Sequence, residues 1–200
     1  LSQLAQAFQQ RFAQAAPKRY HLRVAELLIE VRLLGEAMAA TMLPALGHLL
    51  IDPPPTTAPD MVFNLWDGGG ESLWPPPPTF SEADYHRYGH RAIAHEGPCS
   101  VLFAIAARHL FAYDRQTRQG YFFAADASQL NIYEQAAPLQ PLFCWALAAY
   151  GWQLVHAAAV GSPAGGVLLI GSSGAGKSTT ALSCLTAANP RFLCDDKCLV

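Results

Sequence analysis

Charge is what this sequence has least of. Asp, Glu, Lys and Arg make up 14% of the 200 residues, against roughly 25% in an average globular chain. Hydrophobic residues make up 52%, so a chain disordered along most of its length is excluded. Neither sign dominates, since 13 basic and 15 acidic residues leave a net charge of −2. Work on a polyanionic surface needs clustered Lys and Arg for counterion release, so nucleic acid is not an expected partner. Long apolar runs are missing too. The richest stretch, 141–160, is broken by Gly151, Gln153 and His156 and falls short of the ~18 residues a membrane span needs. No basic segment followed by an apolar one and a small-residue cleavage site opens the chain. The five cysteines, at 99, 144, 184, 194 and 198, are an odd set in mostly apolar segments. That suits small buried hydrophobes in a reducing cytosol better than a disulfide framework. The expectation is a cytoplasmic protein without a membrane partner, long enough to bury a core unaided.

Along the chain, Leu4, Phe8 and Phe12 recur at helical spacing. Residues 20–34 alternate instead, with Leu22 and Val24 on one face and Ile29, Val31 and Leu33 on another, which predicts a hairpin turning near Ala25 and Glu26. Residues 35–50 read as an Ala-rich helix with a kink or restart at Pro44. A short strand is expected over 60–67, between proline runs at 53–55 and 75–78 that suit extended loops. Residues 100–113 and 120–124 read as strands of a meander, and Pro138 opens a helix that Gly151 stops. From 153 the character changes to buried strand, Gly-rich loop, helix and strand. These features predict an α+β domain over 1–136 and the start of an α/β domain over 137–200. The loop strand is expected at the centre of the second layer, flanked by 153–160 and 191–194. The chain starts at Leu1 within a helical pattern and stops at Val200 within a strand pattern, which reads as a fragment.

The strongest signal is Gly171, Ser172, Ser173, Gly174, Ala175, Gly176, Lys177 and Ser178, a full G-x-x-x-x-G-K-[ST] match followed by Thr179. Glycines let a backbone bend around a phosphate with its N–H groups pointing inward, and the next helix presents its positive end to the same anion. In that pattern Lys177 reaches the β- and γ-phosphates, and the Ser178 hydroxyl is placed for Mg²⁺. ATP and Mg²⁺ are the expected cofactors. Asp195 and Asp196 follow an apolar strand 18 residues after Lys177. Adjacent strand residues point to opposite sides, so one carboxylate can hold a metal while the other faces an acceptor. His156 stands alone in an apolar strand, 15 residues before Gly171. By itself it reads as a core histidine, but sequential strands often lie side by side.

Taken together, LVHAAAV, GGVLLIGSSGAGKSTTALSCL and RFLCDDKCLV resemble the catalytic core of the HPr kinase/phosphorylase family. Those are serine kinases with a P-loop on a fold similar to phosphoenolpyruvate carboxykinase. The likeness covers about residues 153–200 and lies in the set: a His in a strand, a Gly-rich loop, and an apolar strand ending in Asp-Asp. It implies Asp195 as general base with His156 assisting it, Asp196 and Ser178 as Mg²⁺ ligands, and Lys177 with the loop amides holding the nucleotide. It also implies a protein or peptide substrate with an acceptor Ser, and a homo-oligomer. Thr179 stands where a Glu commonly follows the loop Ser in HPr kinases proper. The first 136 residues look more like the leader region of a looser HPr-kinase-like group, some of it tied to lasso-peptide and other peptide-modification clusters.

Two other function classes stay open. A transporter-type ATPase shares the letters SGAGKST, but its acidic strand usually comes after a long insertion. A nucleotide-binding regulatory module without transfer activity shares the loop. Elsewhere, His86, His90 and His95 would offer part of a metal site if 82–95 were helical. Trp66, Trp74, Tyr85 and Tyr88 with Arg87 and Arg91 suggest base stacking but lack a basic cluster.

Overall fold

The computed structural model describes residues 2–52, 54–70, 91–104, 108–185 and 191–200. It is a mixed α/β structure that divides into two compact units, Leu1–Ala146 and Leu147–Val200. The division falls within a helix and not near residue 136. That helix, α4 (Gln140–Ala148), sends Leu142 and Phe143 into the first unit's core, where the Phe143 ring meets Phe63 edge-on at 5.6 Å.

The first unit contains α1 (Ser2–Gln14), β1 (Lys18–Val24), β2 (Leu27–Leu34), α2 (Glu36–Leu46), β3 (Met61–Asp67), β4 (Arg91–Glu96), β5 (Cys99–Ala104), β6 (His109–Asp114), β7 (Gln119–Ala124) and α3 (Ile132–Ala136). Its strands form one seven-stranded sheet in the order β1-β2-β3-β7-β6-β5-β4. The β1–β2 hairpin turns where expected, with Ala25 left-handed at φ 52°. Parallel pairing of β2 with β3 and of β3 with β7 makes the sheet mixed. Parallel neighbours need a crossover, and α2 lies in the one between β2 and β3. Central position explains β3, whose residues 61–66 are all buried as a near-continuous apolar run. One sheet face takes Leu4 and Phe8 of α1 against Leu34, Trp66, Tyr121 and Phe123. The opposite face carries Phe63, where a Cβ added to Gly120 would come within 2.6 Å of its ring.

Two local expectations change. Helix α2 runs through Pro44 to Leu46 and then tightens into a 3₁₀ turn over Gly47–Leu49, so there is no break at the proline. His95 lies on strand β4 and not on a helix, because β4 pairs antiparallel with β5 across a tight turn in which Gly97 takes φ 55°. His86, His90, Trp74, Tyr85, Arg87 and Tyr88 lie outside the described residues.

The second unit holds β8 (Leu154–Ser162), β9 (Gly165–Ile170), α5 (Lys177–Cys184), β10 (Arg191–Cys194) and β11 (Lys197–Leu199). Every pairing goes through β8 and is antiparallel. The loop strand β9 is therefore not central as expected. It pairs β8 over 157–162, while β10 and β11 take β8's other edge over 159–161 and 154–156. The reason is in the side chains: Ala157, Ala158, Ala159 and Val160 of β8 are buried, whereas β9 leaves Val167 and Ile170 exposed. Helix α5 covers one face of this sheet, packing Ala181 on Ala158 and Val160. Among the described residues no helix is long and apolar enough to cross a membrane.

Candidate functional site

A strand's alternation places His156 on the same face as Ala158 and Val160, the face that α5 covers. Strand β9 ends at Ile170, opposite Ala157. The Gly-rich loop thus leaves the sheet next to His156. Gly174 and Gly176 then take left-handed conformations, φ 80° and 84°, which cost an L side chain strain but not glycine. A turn closes from the Ala175 N–H to the Ser172 carbonyl at 3.2 Å, and the Thr180 N–H bonds the Gly176 carbonyl at 2.8 Å to start α5. Gly176 is the N-cap and has no side chain to accept from the first-turn amides, and no acidic residue occupies that turn. The positive end of α5 is therefore left for water or an anion.

The Lys177 ammonium donates to the Gly171 carbonyl at 2.9 Å and the Ser172 carbonyl at 3.1 Å, so it lies against the loop backbone. On the other edge of β8, the register slips between Phe192 and Cys194. That irregularity puts Asp195 and Asp196 in the bend between β10 and β11, with the Asp196 carbonyl accepting from the Ala157 N–H at 3.2 Å.

The result is one open cleft of about 330 Å³ lined by His156, Ser173, Gly174, Gly176, Lys177, Ser178, Thr179, Asp195 and Asp196. Residues separated by up to 40 positions in sequence thus meet, and every catalytic and metal-ligating candidate is among them. Gly171 and Ser172 take part through the carbonyls that hold Lys177, and Ala175 through the closing turn. His156 was expected to assist Asp195. Its Nε2 instead lies 3.1 Å from Asp196 Oδ1. Asp195 has no ion-pair partner among the described residues.

The residue that sequence reasoning missed is Lys197. Its Nζ is 3.4 Å from Asp196 Oδ2, so the Asp196 carboxylate has a basic side chain on each oxygen. Position in the chain carries no signal for this contact beyond adjacency. It follows from the register, which sets Lys197 directly opposite His156.

Cys194, beside the Asp pair, donates weakly to the Ala157 carbonyl at 3.5 Å. Burial, and then the hydrogen bond with Cys198, push its thiol up to about 12. It is a neutral packing group and not a nucleophile. Among the described residues no three His, Cys, Asp or Glu side chains gather into a metal cage. A Mg²⁺ ion is usually held by one or two carboxylates together with substrate phosphates. The Ser178 hydroxyl and the Asp196 carboxylate both line the cleft and would offer oxygen ligands to such an ion, and Asp196 is 63% exposed.

No protein-family model matches the chain, and no curated protein matches it.

Proposed function

We propose that residues 147–200 belong to the P-loop core of an ATP-dependent serine kinase of the HPr-kinase-like group, acting on a protein or peptide. The observation that carries this reading is the gathering of His156, Lys177, Ser178, Asp195 and Asp196 around one cleft at the N-terminus of α5. Phosphoryl transfer asks a protein mainly for position and charge compensation. Lys177 and the amides at the start of α5 hold the β- and γ-phosphates. Ser178 and Asp196 would hold Mg²⁺, which when bound would supply charge neutralisation for the phosphates. The acceptor Ser oxygen bonds to the γ-phosphorus as the bridging bond to ADP breaks, and its proton passes to Asp195. Asp195 takes that role because its carboxylate is exposed and uncommitted, while His156 fixes Asp196.

A second reading, a nucleotide-binding module or ATPase without transfer to serine, shares the loop but gives Asp195 no task. Incubation with γ-labelled ATP, Mg²⁺ and Ser-containing peptides separates the two. Label on serine in the unmodified chain, lost in Lys177→Ala, is expected. Nucleotide binding without label on any peptide or on the chain itself supports the second reading. Unchanged ATP affinity in Lys177→Ala, measured by calorimetry, removes both.

A further inference from the structure

We infer that Lys197 is a positioning residue that competes with the divalent cation for Asp196 and so sets the Mg²⁺ requirement of nucleotide binding. The inference rests on the nucleotide-site reading above. Lys197 and His156 are register partners on neighbouring strands, so their side chains rise from the same face of the sheet. Between them they take the two oxygens of Asp196, His156 Nε2 at 3.1 Å from Oδ1 and Lys197 Nζ at 3.4 Å from Oδ2. Lys197 is the more buried of the two partners, with its side chain 28% exposed against 51% for His156. Its stem is partly buried at the sheet while its ammonium reaches the Asp196 carboxylate, which lines the cleft.

A divalent cation on Asp196 must displace this ammonium or sit beside it. Displacement loses an ion pair, and coexistence places like charges a few ångströms apart. Both raise the Mg²⁺ concentration needed above that of a neutral side chain at 197. In return the ammonium keeps the carboxylate aimed at the cleft while no cation is bound. His156 cannot do both tasks, since it touches the other oxygen.

The test is ATP affinity of the full 200-residue chain, followed by calorimetry over a series of Mg²⁺ concentrations. Lys197→Met should lower the half-saturating Mg²⁺ by about two- to fivefold, the range expected for one partly exposed ion pair. Metal-free ATP affinity should stay unchanged. Lys197→Arg should restore the original Mg²⁺ requirement, because the charge returns at similar reach. Lys197→Gln serves as a second neutral variant if the Met protein does not fold, and should match it. An unaltered or increased Mg²⁺ requirement in the neutral variants overturns the inference and leaves the nucleotide site standing. So does a drop in metal-free ATP affinity, which would make Lys197 a phosphate contact. If the unmodified chain binds no ATP at all, the nucleotide-site reading and this inference fall together.

Discussion

Glu30 in the first unit and Asp196 in the second each sit between basic side chains, and they differ in nearly everything else. Glu30 lies on β2 with Arg32 Nε at 2.5 Å and Arg19 at 3.3 Å on one oxygen, and His21 at 3.9 Å from the other. Its side chain is 8% exposed, against 63% for Asp196. A second polar group buried in the first unit's sheet is satisfied in the same way. Asn64, 6% exposed in the central strand, gives its amide to Gln119 and to the Gly120 carbonyl. The second unit gathers Lys177, Asp195 and Asp196 around an open cleft at the end of a helix. Pairing alone therefore does not mark a site. A buried, multiply bonded carboxylate holds a sheet together, because removing it leaves cations without a counter-charge. An exposed one beside unclaimed helix amides remains accessible to a ligand that can displace or join its partners.

The comparison is broken most sharply at Asp195. A carboxylate acting as proton acceptor contributes about 10²–10⁴-fold, so Asp195→Asn should lose transfer by that factor while calorimetry shows ATP affinity retained. Loss of binding in parallel would make Asp195 part of the nucleotide pocket instead. Next comes the contrast between Glu30 and Asp196 themselves. Glu30→Gln should lower stability in urea unfolding by about 1–2 kcal/mol, discounted from a fully buried pair because Arg19 reaches water. Asp196→Asn should change stability by no more than ~0.5 kcal/mol, as for an exposed site, but weaken the Mg²⁺ dependence of ATP binding. A reversed order would place the structural carboxylate in the second unit. The smallest effect is at Cys194, which flanks the Asp pair and is partly buried. With its thiol raised to about 12, the reactive thiolate stays scarce below that pH, so alkylation followed by mass spectrometry should remain slow at pH 9 and keep rising above it. A rate that levels off near pH 9 contradicts the burial assigned to Cys194.

Much of the second unit was legible one element at a time. The apolar strands, the Gly-rich loop and the helix after Lys177 all carry local signals, because alternation and glycine content act over a few residues. Strand β4 was not legible, since 91–96 mixes Arg, Ala, His and Glu without a clean alternation and is held by its pairing with β5. Nor was the passage of α2 through Pro44. Proline in the last turn of a helix removes one hydrogen bond near an end that has few left to lose.

The sequence by itself determined which groups are available for chemistry and their order along the chain: a histidine in a strand, a phosphate-type loop with Lys177 and Ser178, and an Asp pair after an apolar strand. Which of them touch was decided only by tertiary structure. The choice of β8 as the central strand sets β9 and its loop on one edge and β10 and β11 on the other. One register then aligns Lys197 with His156, and the slip after Phe192 turns Asp196 between them. Side-chain alternation is a two-residue property that any strand carries alone, but neighbour and register depend on which faces can be buried together. A one-residue shift of β11 would exchange the sides on which its residues lie, with no change in the sequence motifs at all.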